Sequence, residues 1–121
     1  MIINDATPIF IQIKEQIKDD IMSGVYEVDE LIISTTKISK LYSVNPATAV
    51  KSVGLLQDEG IVYKKRGIGM CVSEGAPEKI KEERKEQFLG DTLKSFIDEA
   101  KKLKISKENL LKIITEVSDY D

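Results

Sequence analysis

Three consecutive cations, Lys64-Lys65-Arg66, run into Gly67-Ile68-Gly69 in a chain of 121 residues. Positive charges beside turn-forming glycines suit phosphate neutralisation, and an arginine among them can enter a narrow minor groove. The same Gly-x-Gly serves nucleotide loops, but here no helix follows it and the third glycine of that motif is absent. The groups of catalysis are absent as well. The chain has no histidine, hence no Ser–His or Cys–His pair, and a single cysteine, hence no Cys-x-x-Cys. General bases and activated nucleophiles therefore lack their commonest sources. Asp19-Asp20 and Asp58-Glu59 are adjacent pairs near helix ends, and their members point in different directions. The expectation is a binding protein with no catalytic residues, no metal and no cofactor.

The cations need a scaffold, and the flanking sequence supplies one. Asn45-Pro46 opens a helix: the Asn45 side chain can accept from an orphan first-turn amide, and Pro46 sits where no donor is required. Ala49, Val53 and Leu56 give that helix a buried face to Glu59, and Gly60 stops it. Strand 61–65, the turn Arg66-Gly67-Ile68 and strand 69–73 then make a hairpin with the cations at its tip. A helix followed directly by a basic hairpin is the DNA-reading half of a winged helix-turn-helix. On the outward face of the helix lie Ala47, Val50, Lys51 and Gly54, with Thr48 and Leu55 at the margins. Thr48 and Lys51 can reach phosphates or bases, and Ser43 and Asn45 can contact the backbone from the turn. Val50 and Ala47 can pack on thymine methyls. The alternative is an amphipathic helix with a few spare apolar residues.

Two earlier helices complete the unit. Thr7 is expected as N-cap with Pro8 in the first turn, and Phe10, Ile13, Ile17 and Ile21 form one apolar face before Ser23-Gly24 ends the helix. A short extended segment at 31–33 leads to Ser34, the N-cap of a second helix that turns Ile38, Leu41 and Tyr42 inward. Gly75-Ala76-Pro77 reads as a boundary, giving a winged helix-turn-helix over 1–76 and a two-helix appendage over 77–121. The overall class is α+β. Within the appendage a helix from Glu78 to Lys102 carries Leu89, Leu93, Phe96, Ala100 and Leu103 at alternating spacings of four and three, an a/d-like seam. Ser106 caps a last helix with Leu110, Ile113, Ile114 and Val117. A two-helix appendage cannot cover its own apolar faces, so Leu89, Leu93, Phe96, Ala100, Leu103, Leu110 and Ile114 are the expected homodimer interface. Residues 78–86 alternate in charge and read as a solvated face.

Bulk properties fit this picture. With 41% hydrophobic and 32% charged residues, the chain can form a modest, well-solvated core. The net charge of −3 is spread evenly: residues 1–76 hold 8 Lys/Arg and 10 Asp/Glu, and residues 77–121 hold 10 and 11. Attraction to DNA must come from a local patch. The lone Cys71 fits a reducing cytoplasm and is either a small packing residue or a redox sensor. Met1–Asp5 is not the basic start of a signal peptide, and no apolar run approaches the roughly 18 residues of a membrane span.

Five motifs resemble the amino-terminal domain of the GntR family of bacterial regulators: Pro8-Ile9-Phe10-x-Gln12-Ile13, Ile21-x-Ser23-Gly24, Val44-Asn45-Pro46-x-Thr48, Leu56-x-x-Glu59-Gly60-Ile61-Val62 and Arg66-Gly67-x-Gly69-x-x-Val72. They stand in order over residues 8–74. The short tail ending Ile105-Ser106-Lys107-Glu108-x-Leu110-Leu111 resembles the YtrA-like branch of the family. The resemblance implies a cytoplasmic homodimer on a palindromic double-stranded operator, usually as a repressor, often of an operon encoding an ABC transporter. A small-molecule effector is a further partner it allows, though no sequence feature marks a site. The resemblance places Ser34, Asn45, Thr48, Lys65, Arg66 and Gly67 on the family's DNA-contacting positions; with Thr35, Thr36, Ser43, Val50, Lys51 and Lys64 beside them on the second helix, the turn, the third helix and the wing, these are the expected DNA-binding residues.

The departures from the family pattern are specific. The family's Gly-x-x-Leu-Pro-Ser-x-Arg is met here by Asp29, Ile33 and Thr36 at its glycine, proline and arginine, with Ser34 retained. Thr36 replaces neither the charge nor the bidentate fork of arginine. Val50 stands where Gln or Arg is common, and Gly54 where the family has a long polar residue. A rival reading follows: a winged helix that has kept its fold and dimer seam but docks another protein.

Overall fold

The computed structural model describes residues 6–117, so Met1–Asp5 and the last four residues lie outside the description. The described chain divides into a unit ending at Glu82 and a unit beginning at Glu83.

In the first unit, helix α1 (Ile9–Met22) buries Ile13, Ile17 and Ile21, the face expected from their spacing, while Phe10 is half-buried. Its start differs from expectation. Pro8 is the N-cap with no side-chain cap, its carbonyl accepting from the Ile11 and Gln12 amides, and the Thr7 carbonyl takes a 2.7 Å bond from Gln12 Nε2. Helix α2 (Thr35–Tyr42) is capped by Ser34 and buries Ile38. Leu41, expected to face inward, is 69% exposed, because only Ile38 and the half-buried Thr35, Ser39 and Tyr42 share the face toward the core. Helix α3 (Pro46–Asp58) buries Ala49, Val53 and Leu56 as its apolar spacing requires. It also buries Ser52, whose hydroxyl donates to the carbonyls of Phe10 and Thr48, both at 3.0 Å. This satisfied buried hydroxyl ties α3 to α1 across 42 residues of sequence.

Strands β1 (Val62–Lys65) and β2 (Gly69–Val72) pair antiparallel, with Val62 opposite Val72 and Lys65 opposite Gly69. The extended segment before α2 joins them. Leu31 bridges to Cys71, the Asp29 amide donates to Val72 O at 2.9 Å, and the Ile32 amide to Met70 O at 3.0 Å. The wing thus has a third, short strand-like edge that covers β2. Asp29 adopts a left-handed φ of 69° at the position where the family pattern has glycine. Its Oδ1 accepts from the Tyr63 hydroxyl at 2.6 Å, anchoring β1 to this edge.

The boundary expected at residue 76 lies further along. Helix α4 (Ala76–Gln87) places Ala76 and Ile80 in the core of the first unit, which therefore extends to Glu82. At the foot of the core, Glu59 accepts from Lys14 at 2.8 Å and from the fully buried Lys18 at 2.5 Å, and Lys79 donates to its carbonyl. Burial pushes the Glu59 carboxyl up, but the hydrogen bonds and charges of Lys14 and Lys18 outweigh it and hold the group below its ordinary value.

In the second unit the expected long helix is interrupted. A π-helical turn (Phe88–Thr92) separates α4 from α5 (Leu93–Lys102). Helix α6 (Lys107–Val117) starts at Ser106, whose Oγ accepts from the Asn109 amide at 3.1 Å, the cap anticipated for it. Among the described residues of this unit only Ala100 is buried, while Leu89, Leu93, Phe96, Leu103 and Ile114 are exposed and Leu110 is half-buried.

Candidate nucleic-acid interface

The interface begins with two capped helix starts. Ser34 Oγ accepts from the Lys37 amide at 3.2 Å, which fixes the first turn of α2 and presents exposed Thr36 beside half-buried Thr35. Between α2 and α3 the chain reverses in a tight turn. Ser43 takes a left-handed φ of 52°, the Val44 amide donates to Ser39 O at 3.0 Å, and Ser39 Oγ donates to Val44 O at 2.6 Å. Asn45 Oδ1 then accepts from the Ala47 amide at 2.8 Å and starts α3 with Pro46 in its first turn. This is a helix-turn-helix in which every turn residue has a local bond to make.

Three of the four residues expected on the outward face of α3, Ala47, Val50 and Lys51, are exposed, and Gly54 is half-buried with the marginal Thr48 and Leu55. Lys51 is not a free cation reaching outward: its ammonium lies 3.9 Å from the centre of the Phe10 ring on α1. The wing presents its charges at the tip, with Lys64, Lys65, Arg66 and Gly67 all exposed. The Ile68 amide donates to Lys65 O at 3.0 Å to close the turn, and Gly67 supplies the φ of 78° that its third position demands. Gly69 likewise has a positive φ, 136°, and a Cβ there would also stand 2.9 Å from the Leu31 side-chain end Cδ1.

These groups are brought together in part. Ser34 and Thr35 at the start of α2 and Ile68 and Gly69 at the wing line one crevice with Leu31 and Met70. Lys51 is drawn instead to α1. Sequence reasoning missed Phe10 as the seat of Lys51 and missed the exposed apolar pair Leu31 and Ile68. An isoleucine between two turn glycines was the available signal for the latter. The seam residues fall in two groups: Ala100 is buried and Leu110 half-buried, while Leu89, Leu93, Phe96, Leu103 and Ile114 stand exposed with Phe88, Ile97, Leu111, Ile113 and Val117.

No protein-family model matches the chain. Known proteins nevertheless resemble it over nearly its whole length. The transcriptional repressor YtrA of Bacillus subtilis is 30% identical over 113 residues, covering 93% of this chain and 86% of the repressor. A GntR family transcriptional regulator from Listeria monocytogenes superposes with a TM-score of 0.74 at 28% identity, over 96% of this chain and all of that one. The DNA-binding domain of AraR, solved in complex with operator ORR3, superposes with a TM-score of 0.54 at 26% identity, over 60% of this chain and 88% of that one. Among the described residues no helix is long and apolar enough to cross a membrane. The chain belongs to the GntR family of winged helix-turn-helix transcriptional regulators, DNA-binding proteins rather than enzymes.

Proposed function

We propose that this protein is a cytoplasmic homodimeric repressor that reads a palindromic operator with α3 and grips the flanking backbone with its wing. The observation that carries the reading is an α3 capped at its start by Asn45, with Ala47, Val50 and Lys51 exposed, in the same unit as a wing tip bearing Lys64, Lys65 and Arg66. A fold of this kind meets operator DNA in the AraR domain, and the YtrA relative is named a repressor. The helix fits a major groove, and the wing cations supply the local attraction that an overall charge of −3 does not. The exposed apolar residues of the second unit support pairing with a second copy, which would place half-sites about 10–11 bp apart or a multiple of that. The regulated operon and a small effector belong to the same proposal, the former in keeping with the transporter operons that the family resemblance implies.

Fluorescence anisotropy tests it, using DNA from immediately upstream of the protein's own gene against a shuffled duplex. Specific binding should exceed non-specific binding by about a thousandfold. With about four phosphates neutralised per subunit, log K should fall with log salt at a slope near −7 per dimer. Lys65→Glu with Arg66→Glu should abolish binding and leave dimerisation intact. Equal, weak binding to both duplexes would sink the proposal.

A further inference from the structure

Three of the polar side chains around the outer face of α3 already serve the protein, and Thr48 lies half-buried at its margin. Asn45 Oδ1 holds the Ala47 amide, Ser34 Oγ holds the Lys37 amide, and the Lys51 ammonium rests over Phe10. What Asn45 and Ser34 have left are an amide N–H pair and a hydroxyl hydrogen, donors that suit phosphate oxygens and position the protein without reading sequence. Thr36 offers no guanidinium to clamp a guanine.

The middle of the outward face is therefore apolar. Val50 is 58% exposed, Ala47 precedes it by one turn, and Gly54 follows it with nothing within 4 Å of where a Cβ would stand. A β-branched residue on a helix is confined to one dominant rotamer, so the Val50 methyls are held in fixed directions. In the major groove the largest apolar feature of a base edge is the thymine 5-methyl group, and apart from the small C5–H of cytosine the other features are hydrogen-bond donors or acceptors. The wing complements this face: Lys64, Lys65 and Arg66 attract the backbone, so the helix needs no charge of its own to stay in the groove.

We propose that Val50, with Ala47, reads thymine 5-methyl groups in the major groove and sets the base preference of each half-site. The inference rests on the operator-reading function proposed above, and its test separates the two. Duplexes selected by the full-length protein from a random-sequence pool are resynthesised with uracil for thymine, position by position. This removes the methyl and leaves base pairing unchanged. Wild-type protein should lose about fourfold in affinity for one methyl, the equivalent of about 0.8 kcal/mol, and about tenfold or more when both half-sites are changed. Val50→Ala, at an exposed site where alanine favours the helix, should shrink the uracil penalty at the thymines that Val50 faces and leave the smaller penalty at those that Ala47 faces. Selected DNA bound equally with thymine and uracil would overturn the inference and leave the operator reading standing. A uracil penalty undiminished in Val50→Ala would take the role away from Val50. Failure to enrich any sequence from the pool would overturn both.

Discussion

Residues 6–82 and residues 83–117 are both rich in amphipathic helix, yet they dispose of their apolar faces in opposite ways. In the first unit Ile13, Ile38, Ala49 and Leu56 are wholly buried, and no buried side-chain nitrogen or oxygen of the described residues lacks a partner. In the second unit Ala100 alone among the described residues is buried, and Leu93, Phe96, Ile97 and Ile114 lie open. A core that closes on itself makes a unit that can stand alone. Exposed apolar residues along successive helices support the proposed pairing with a second copy, since single chains seldom leave such patches uncovered. The difference supports a division of labour in which the first unit recognises and the second recruits a second copy.

The sharpest way to break that contrast is to charge the open face. Leu93→Asp with Phe96→Asp should convert the proposed dimer to monomer in sedimentation, with the thermal transition of the first unit unchanged. Operator affinity should fall by roughly a hundredfold or more, because the two half-sites lose their linkage. A variant that stays dimeric would put the interface elsewhere.

The same truncation made in each unit sharpens the comparison. Leu56→Ala removes a side chain that is 0% exposed and should cost about 2–5 kcal/mol in chemical unfolding. Leu103→Ala, at 64% exposure, should cost the isolated monomer under about 0.5 kcal/mol. Equal penalties would mean that the second unit has a core of its own.

The ion cluster at the end of α3 gives an effect of middling size. Glu59→Ala would remove the 2.5 Å partner of Lys18, 0% exposed, leave it the longer 3.8 Å contact with Glu15, and should cost about 2 kcal/mol. The native carboxyl titrates below its ordinary 4.5, so its contribution is complete above that value and is lost as pH falls through the lowered native one. Glu59→Gln should flatten the acid limb of the stability curve, and an unaltered limb would assign acid sensitivity to other groups.

What the sequence made legible is what short-range pattern encodes. The buried faces of α1 and α3, the caps at Ser34, Asn45 and Ser106 and the hairpin with cations at its tip each depend on residues within a few positions of one another. Three features did not follow from pattern because they depend on partners far away in the chain. Lys18 reads as a surface residue, yet it is buried because Glu59 meets it 41 positions later. Ile80 lies past a Gly-Ala-Pro boundary signal, yet its apolar side chain belongs to the first core. Residues 29–32 carry no strand alternation, yet they pair with β2 through three backbone bonds. Candidate contacts were legible as residue types, whereas the engagement of Lys51 with Phe10 of another helix was not.

Within the first unit the finest contrast is Asp29, which occupies the conformation that the family pattern gives to glycine. A left-handed φ is tolerated by aspartate better than by most residues, and here a 2.6 Å bond from Tyr63 makes use of its side chain. That bond, with burial and the carboxylate charge adding to it, pushes the Tyr63 hydroxyl up from 10.0 to about 12. The sign follows from the acceptor: the carboxylate favours the protonated phenol, so the contribution is present below pH 10 and fades as pH rises through about 12. Asp29→Gly keeps the backbone conformation and removes the acceptor. Ultraviolet titration should then return Tyr63 toward 10, with little change in melting temperature, since glycine relieves the left-handed φ but gains freedom in the unfolded chain. A large loss of stability would instead make the Tyr63–Asp29 bond, and not the backbone pairing of residues 29–32 with β2, the principal fastening of the wing.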